Sequence, residues 1–146
     1  AGNFSITATL LRRFALEAAK YVRDVEVIDY ASASKPDTPS GTGRELAELL
    51  AQVRQPGTSK PVGELGGARE TRGAALGEPV AVQVHSVRMP SFVLSCEAIF
   101  GAPDERLVIR HDAGSSAAPY VAGTLLAARR VGGFVGVKRG LDHDLS

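Results

Sequence analysis

One cysteine, a formal net charge of +1 and no long apolar run narrow the possible functions before any motif is read. The lone Cys96 cannot form an internal disulfide, and its apolar run makes it an expected buried thiol in a chain suited to a reducing, cytoplasmic compartment. A charge so close to zero provides no global field to gather nucleic acid or an anionic membrane, so any anion site has to be built locally. No stretch approaches the roughly 18 uninterrupted apolar residues of a membrane span, and no basic segment followed by an apolar signal core opens the chain. His85, His111 and His143 lack a second ligand at metal spacing, so no metal site is expected. No G-x-G-x-x-G is present, which argues against tight dinucleotide binding by these residues alone.

What remains is ordinary globular material: 146 residues, 44% hydrophobic and 23% charged, enough for one domain with one core. Apolar Ile6, Leu10, Phe14, Ala18 and Tyr21 recur at helical spacing over 5–22, with Asn3 or Ser5 available as the cap. Residues 25–30 are β-branched and alternating, and predict a strand running into a polar loop over 31–39. A second helix is expected from about residue 40, burying Leu46, Leu49, Leu50 and Val53 and fading at Gln55-Pro56-Gly57. Residues 55–79 turn to glycine, proline and charge and predict a long loop or lid.

Val80, Val82, Val84 and Val87 and then Phe92, Leu94, Cys96, Ala98 and Phe100 alternate around Met89-Pro90-Ser91, the pattern of an antiparallel hairpin. A further strand over 107–110 and a helix over 119–131 burying Val121, Leu125 and Ala128 complete the order; the glycine-rich 132–137 is ambiguous. The expected fold is α+β, a mainly four-stranded mixed sheet with helices on one face. Because Val93, Ile99 and Val108 place apolar groups on the other face, a symmetric sheet-to-sheet oligomer is expected to cover it.

Pro39-Ser40-Gly41-Thr42 leads directly into the second helix, so its first amides and the helix dipole favour a carboxylate or phosphate there. Gly41 removes the side chain that would hold an anion off the backbone, and the Ser40 and Thr42 hydroxyls are further donors. Lys35, on the same loop, is placed to donate a proton beside a bound substrate, with Asp37 orienting it. A capped helix start beside a solvated lysine is the plainer reading of the same residues. Arg88 offers either a bidentate carboxylate contact or a structural surface charge.

Asn3-Phe4-Ser5, Glu26-Val27-Ile28-Asp29, Lys35-x-Asp37-x-Pro39-Ser40-Gly41-Thr42, His85-Ser86-Val87-Arg88, Phe100-Gly101, Glu105-Arg106-Leu107-x-Ile109-x-His111 and Gly123 follow one another along the chain. In this order they resemble the C-terminal domain of the 4-hydroxy-tetrahydrodipicolinate reductases, also called dihydrodipicolinate reductases, across nearly the whole length. The resemblance implies an NADPH- or NADH-dependent oxidoreductase that reduces a cyclic imine dicarboxylate in the diaminopimelate route to lysine, assembled as a homo-oligomer, a tetramer. It makes Lys35 the proton donor, with Ser40, Gly41 and Thr42 at a substrate carboxylate. It matches Ala1, Gly2, Asn3 and Phe4 to the hinge that reaches the nicotinamide. The chain opens at Ala1 without an initiator Met, as expected of the C-terminal piece of a longer polypeptide whose dinucleotide-binding domain would precede it.

The match departs from the family where a His-His pair is usual and Ala31-Ser32 stands instead, at Ser34, and at Ser115-Ser116-Ala117, where an arginine is usual. With those groups absent, Lys35 and the helix terminus are left as the main anion contacts. Two further readings follow: a divergent reductase acting on another small carboxylated imine or carbonyl, and a non-catalytic oligomerising homologue.

Overall fold

Val25, Val27 and Ala31 alternate with Glu26, Ile28 and Tyr30 along Asp24–Ala31. In the computed structural model, which describes residues 3–145, this two-residue period becomes the central strand, β1, of a mixed sheet. The chain runs α1 (Ile6–Ala19), β1, α2 (Gly41–Val53), β2 (Ala74–Leu76), β3 (Val82–Arg88), β4 (Leu94–Ala102), β5 (Glu105–Ala113) and α3 (Ala118–Arg130). Strand order is β2-β3-β1-β4-β5, with β1 parallel to β3 and every other neighbouring pair antiparallel. The sheet therefore has five strands, one more than the sequence pattern predicts.

The extra strand comes from 55–79, which is not the structureless loop its composition suggests. It carries two 3-10 turns, Val62–Glu64 and Arg69–Arg72, before pairing β2 with β3. Arg72 makes two hydrogen bonds to Glu26, at 2.9 and 2.7 Å, and His85 Nε2 lies 2.6 Å from the same carboxylate. These contacts fasten the segment across the sheet's outer face. Burial raises the Glu26 carboxyl's pKa, but the hydrogen bonds from Arg72 and His85 outweigh it and hold the value below the usual one.

The expected hairpin between β3 and β4 does not form, because β1 lies between them. Crossing two strand spacings needs roughly 10 Å, and the connecting 89–93 segment can extend to roughly 17 Å, so nothing forces the neighbours in sequence to pair. The tight hairpin is β4–β5, whose register closes at Ala102 and Glu105 around Pro103-Asp104, with Asp104 at a φ of 62°.

α1 and α2 cover the inner face. α1 buries Ala8, Leu11, Ala15 and Ala19, not the stripe of Ile6, Leu10, Phe14, Ala18 and Tyr21 that bulk alone suggests. The small side chains let the helix backbone approach the layer beneath, while Phe14 and Tyr21 stay outside. On α2, Leu46 and Leu50 are buried as expected, joined by Gly43, Ala47 and Ala51, whereas Val53 is exposed and Leu49 half-buried. With Val27, Val82 and Phe100 they form the core, each large side chain contributing about 1.5–3 kcal/mol by leaving water. Cys96 lies in the same layer, where burial pushes its thiol up to about 12.

α3 rests on α1 instead of the sheet, and Val121, Leu125 and Ala128 are exposed, against expectation. Its one buried residue is Gly123, which presses on the Phe4 carbonyl and on the fully buried Leu141. A β-carbon at Gly123 would collide with both. Gly123→Ala is therefore expected to cost about 1–3 kcal/mol as overpacking, read as a lower denaturation midpoint at unchanged slope; an unchanged midpoint would show that the close approach is not maintained.

Candidate functional site

Only one charged residue sits on the inner face of β1. Asp29 is completely buried and takes the position that Val25 and Val27 take earlier in the strand. Its carboxylate accepts the Ser40 amide at 3.0 Å and the Ser40 hydroxyl, the Ser86 hydroxyl at 3.2 Å, and Arg88 Nη2 at 2.8 Å. Burial alone would raise its pKa, yet the Ser40 hydroxyl and amide and the Arg88 guanidinium together hold it below the usual value. Gly43 is needed beside it, because a β-carbon there would lie 3.2 Å from the Asp29 β-carbon.

This carboxylate locates the start of α2. Ser40 is the N-cap, and its hydroxyl also accepts the Gly43 amide at 3.3 Å. The Ser40 hydroxyl is thus committed inward, to Asp29 and Gly43. Among the described residues, the amides of Gly41 and Thr42 have no partner, and as first-turn amides they point out of the helix end. A β-carbon at Gly41 would meet nothing within 4 Å.

The opening in front of that helix end is a cavity of about 360 Å³, within the range small ligands use. Asn3, Lys35, Ser40, Gly41 and Thr42, five of the residues singled out from sequence, line it together. Lys35 Nζ lies 3.2 Å from Asp37 Oδ1, and this lysine holds the exposed Asp37 carboxyl below its usual pKa. Upstream, Ser32 and Ser34 bond to each other through their hydroxyls at 2.9 Å, and the Ser32 carbonyl accepts the Lys35 amide at 3.0 Å. Ala31 is wholly buried and pairs with Leu94, which forms an apolar part of the cavity wall.

Arg88 is not among the lining residues. It supports the Lys35 loop from behind, donating to Asp29 and, at 2.8 Å, to the Asp37 carbonyl. Ala1 and Gly2 lie outside the described residues; Phe4 is partly exposed and has its carbonyl against Gly123. The cavity also brings in residues not anticipated from sequence: Arg44 and Glu45 from α2, Leu94 from β4, and Arg139 from the tail. No local pattern marks Arg139. Asp29 did leave a signal, an acidic residue in phase with the buried positions of a strand.

A larger cavity of about 660 Å³ lies on the outer face under the 55–62 segment, lined by Glu26, Arg54, Arg72 and His85. None of 55–79 lines the Lys35 cavity, so that segment is not its lid in this conformation. The smaller cavity is the stronger candidate, since it joins a cation, free helix amides and convergent polar groups.

Comparison with known proteins agrees with the fold. The family described as "Dihydrodipicolinate reductase, C-terminus" matches residues 7–141. The 4-hydroxy-tetrahydrodipicolinate reductase of Desulfitobacterium hafniense (strain DSM 10664 / DCB-2) is 39% identical over 145 residues, covering 99% of this chain and 53% of that protein. Its counterpart from Trichormus variabilis is 41% identical over 129 residues, 88% of this chain and 45% of that protein. A solved structure of dipicolinate-bound dihydrodipicolinate reductase from Paenisporosarcina sp. TG-14 matches with a TM-score of 0.83 at 30% identity, over 98% of this chain and 52% of that one. The chain thus spans about half the length of the relatives it matches.

Removing the Asp29 carboxylate leaves the Arg88 guanidinium poorly paired. Asp29→Ala is expected to destabilise by about 3–5 kcal/mol, measured by chemical denaturation. Because the Asp29 pKa is lowered on folding, its contribution is complete above the usual carboxyl value of 3.8 and is lost as pH falls through the lower folded value. Asp29→Asn should therefore flatten the acid side of the stability profile; an unchanged acid slope would refute the ionised hub.

Proposed function

The chain belongs to the dihydrodipicolinate reductase family, matching its C-terminal region, and from this we propose that it is the substrate-binding part of a nicotinamide-dependent reductase of small cyclic imine dicarboxylates. The observation that carries the reading is the meeting of Lys35 with the unpartnered Gly41 and Thr42 amides in one cavity. A substrate carboxylate on those amides replaces the hydrogen bonds the helix end lacks and gains from its dipole. Gly41 supports this, since the protein's own packing does not require a glycine where no neighbour comes within 4 Å, whereas close approach of a ligand does.

Reduction of an imine or conjugated double bond adds a hydride and a proton. Reduced nicotinamide, as NADPH or NADH, supplies the hydride when bound. Asn3 at the cavity and Phe4 beside it suit contact with the nicotinamide end, while the nine residues between β1 and α2 carry prolines and no G-x-G-x-x-G, so the pyrophosphate needs groups beyond these. The Lys35 ammonium delivers the proton, with Asp37 directing it and Arg88 holding the Asp37 carbonyl and hence the loop. We infer from the family a role in the diaminopimelate route to lysine, in the cytoplasm. A second reading, a reductase of another small carboxylated imine or carbonyl, is favoured by Ala31 and Ser32, which put an alanine and a hydroxyl where the family resemblance implies imidazoles.

We also infer a homo-oligomer, a tetramer, with a second copy covering the sheet's outer face. There Val108 and Val93 are exposed beside the Tyr30, Glu97 and Arg110 cluster, in which Tyr30 donates to Glu97 at 2.6 Å and Arg110 lies 4.6 Å from the Tyr30 ring centre. Sedimentation of the full-length protein as a monomer at micromolar concentration would overturn this.

Two variants of the full-length protein test the site. Lys35→Ala is expected to lower kcat by about 10²–10⁴-fold with an unchanged melting temperature; normal turnover would defeat the assignment. Gly41→Val is expected to raise KM by about tenfold or more through loss of the carboxylate's hydrogen bonds, without loss of stability. Unchanged KM would mean that no anion reaches those amides.

A further inference from the structure

We propose that Arg139 is a specificity-determining residue of the Lys35 cavity, binding the second carboxylate of a dicarboxylate whose first carboxylate lies on the Gly41 and Thr42 amides. The inference rests on the reading of the cavity given above and adds to it the group that separates dicarboxylates from monocarboxylates. Lys35 and the helix end lie close together in the chain and converge on one anion. A second carboxylate needs a cation from elsewhere in the fold, and Arg139, from the tail after α3, lines the same cavity.

The tail around Arg139 is held in place by built contacts. Leu141 is fully buried and packs against Gly123 of α3. Arg12, itself only 8% exposed, forms ion pairs with Asp142 and, at 3.2 Å, with Glu45 of α2. Arg13 donates to the Asp142 carbonyl at 3.0 Å and to the Leu145 carbonyl. Gly140 turns the chain with a φ of 75°, and a β-carbon there would lie 3.1 Å from Arg12 Nη2. Two arginines of α1 thus fix the residues immediately after Arg139 against the helix that builds the anion site.

The charges around the cavity are otherwise assigned. Lys35 has Asp37, Glu45 has Arg12, and Arg44 and Glu48 face each other at 4.0 Å. Among the described residues, Arg139 has neither an ion-pair partner nor a hydrogen bond. Its guanidinium has the planar fork that takes a carboxylate through two parallel bonds. The neighbouring Lys138 turns away: its Nζ lies 4.3 Å from the Phe134 ring centre, in a separate cavity with Arg129 and Asp144.

Calorimetric titration of the full-length protein with dipicolinate and with picolinate, which keeps the ring and one carboxylate, separates the two levels of the argument. The unaltered protein is expected to favour dipicolinate by about tenfold or more, the worth of a charged hydrogen-bonded pair. Arg139→Gln should shrink that preference to about threefold or less by weakening dipicolinate while leaving picolinate unchanged, and Arg139→Lys should restore part of it. Lys138→Gln, which removes the same charge one residue away, should leave the preference intact. A preference that survives Arg139→Gln overturns the role of Arg139 while the cavity reading stands. If the unaltered protein binds neither compound, or if Gly41→Val leaves binding of both unchanged, the cavity reading fails and takes this inference with it.

Discussion

The buried carboxylate of Asp29 is the constraint on which the site depends. It sits on the inner face of β1, receives the amide and hydroxyl that begin α2, and pairs with the arginine that ends β3. Three elements distant in sequence are thereby fixed at one point. An ion in that position is costly unless its bonds are satisfied, so the arrangement holds together as a whole or not at all. The same Arg88 that neutralises Asp29 also grips the Asp37 carbonyl, so the position of the Lys35 loop follows from the pairing below it. The cap that starts the helix and the loop that carries the ammonium are thus set by a single carboxylate.

The sheet distributes charge unequally between its faces, and this gives its two cavities different characters. Inside, Asp29 and its partner Arg88 are an ion pair at the edge of an apolar layer of Val25, Val27, Val82, Val84, Ala98 and Phe100, and one tightly bonded pair gives unique geometry. Outside, Glu26, Arg72 and His85 form one polar cluster and Tyr30, Glu97, Arg110 and Asp112 another. Those groups are partly solvated and mutually satisfied, and they hold the 55–79 segment and dress a surface. They do not present free donors to a ligand. The difference explains why the larger opening is the weaker candidate.

Local chemistry was the legible part of the sequence. The strand 24–31, the cap at Ser40, the free helix end at Gly41 and Thr42, and Lys35 beside it all follow from residues within one short segment. What could not be read depends on distance. Nothing near β3 or β4 indicates that β1 will separate them, because strand choice is settled by which inner faces pack together. The buried stripe of α1 departs from the bulkiest one because Ala8, Ala15 and Ala19 admit close approach and Phe14 and Tyr21 do not. In α3 too, periodic bulk does not mark the contact: Val121 and Leu125 are exposed, and the buried residue is a glycine. Arg139 reaches the cavity through tail contacts made by Arg12, Arg13 and Gly123, none of which a local pattern joins to Lys35.

The loop before Lys35 also bears on how the site handles protons. Histidine is the side chain whose ordinary titration spans neutral pH, and a pair of imidazoles beside a lysine could share or relay its proton. Here Ala31 is buried against its neighbours, and Ser32 and Ser34 close a hydroxyl turn that keeps the loop's shape without a titrating group. Under the role proposed for Lys35, the proton it delivers is replaced from solvent. The lysine side chain is 33% exposed and its partner Asp37 55% exposed, so water reaches both. Rigidity is supplied from beneath by Asp29 and Arg88, and access from above by the open loop. At 31–34 a buried alanine and two serines thus leave the loop without a titrating side chain, held from beneath and open to water.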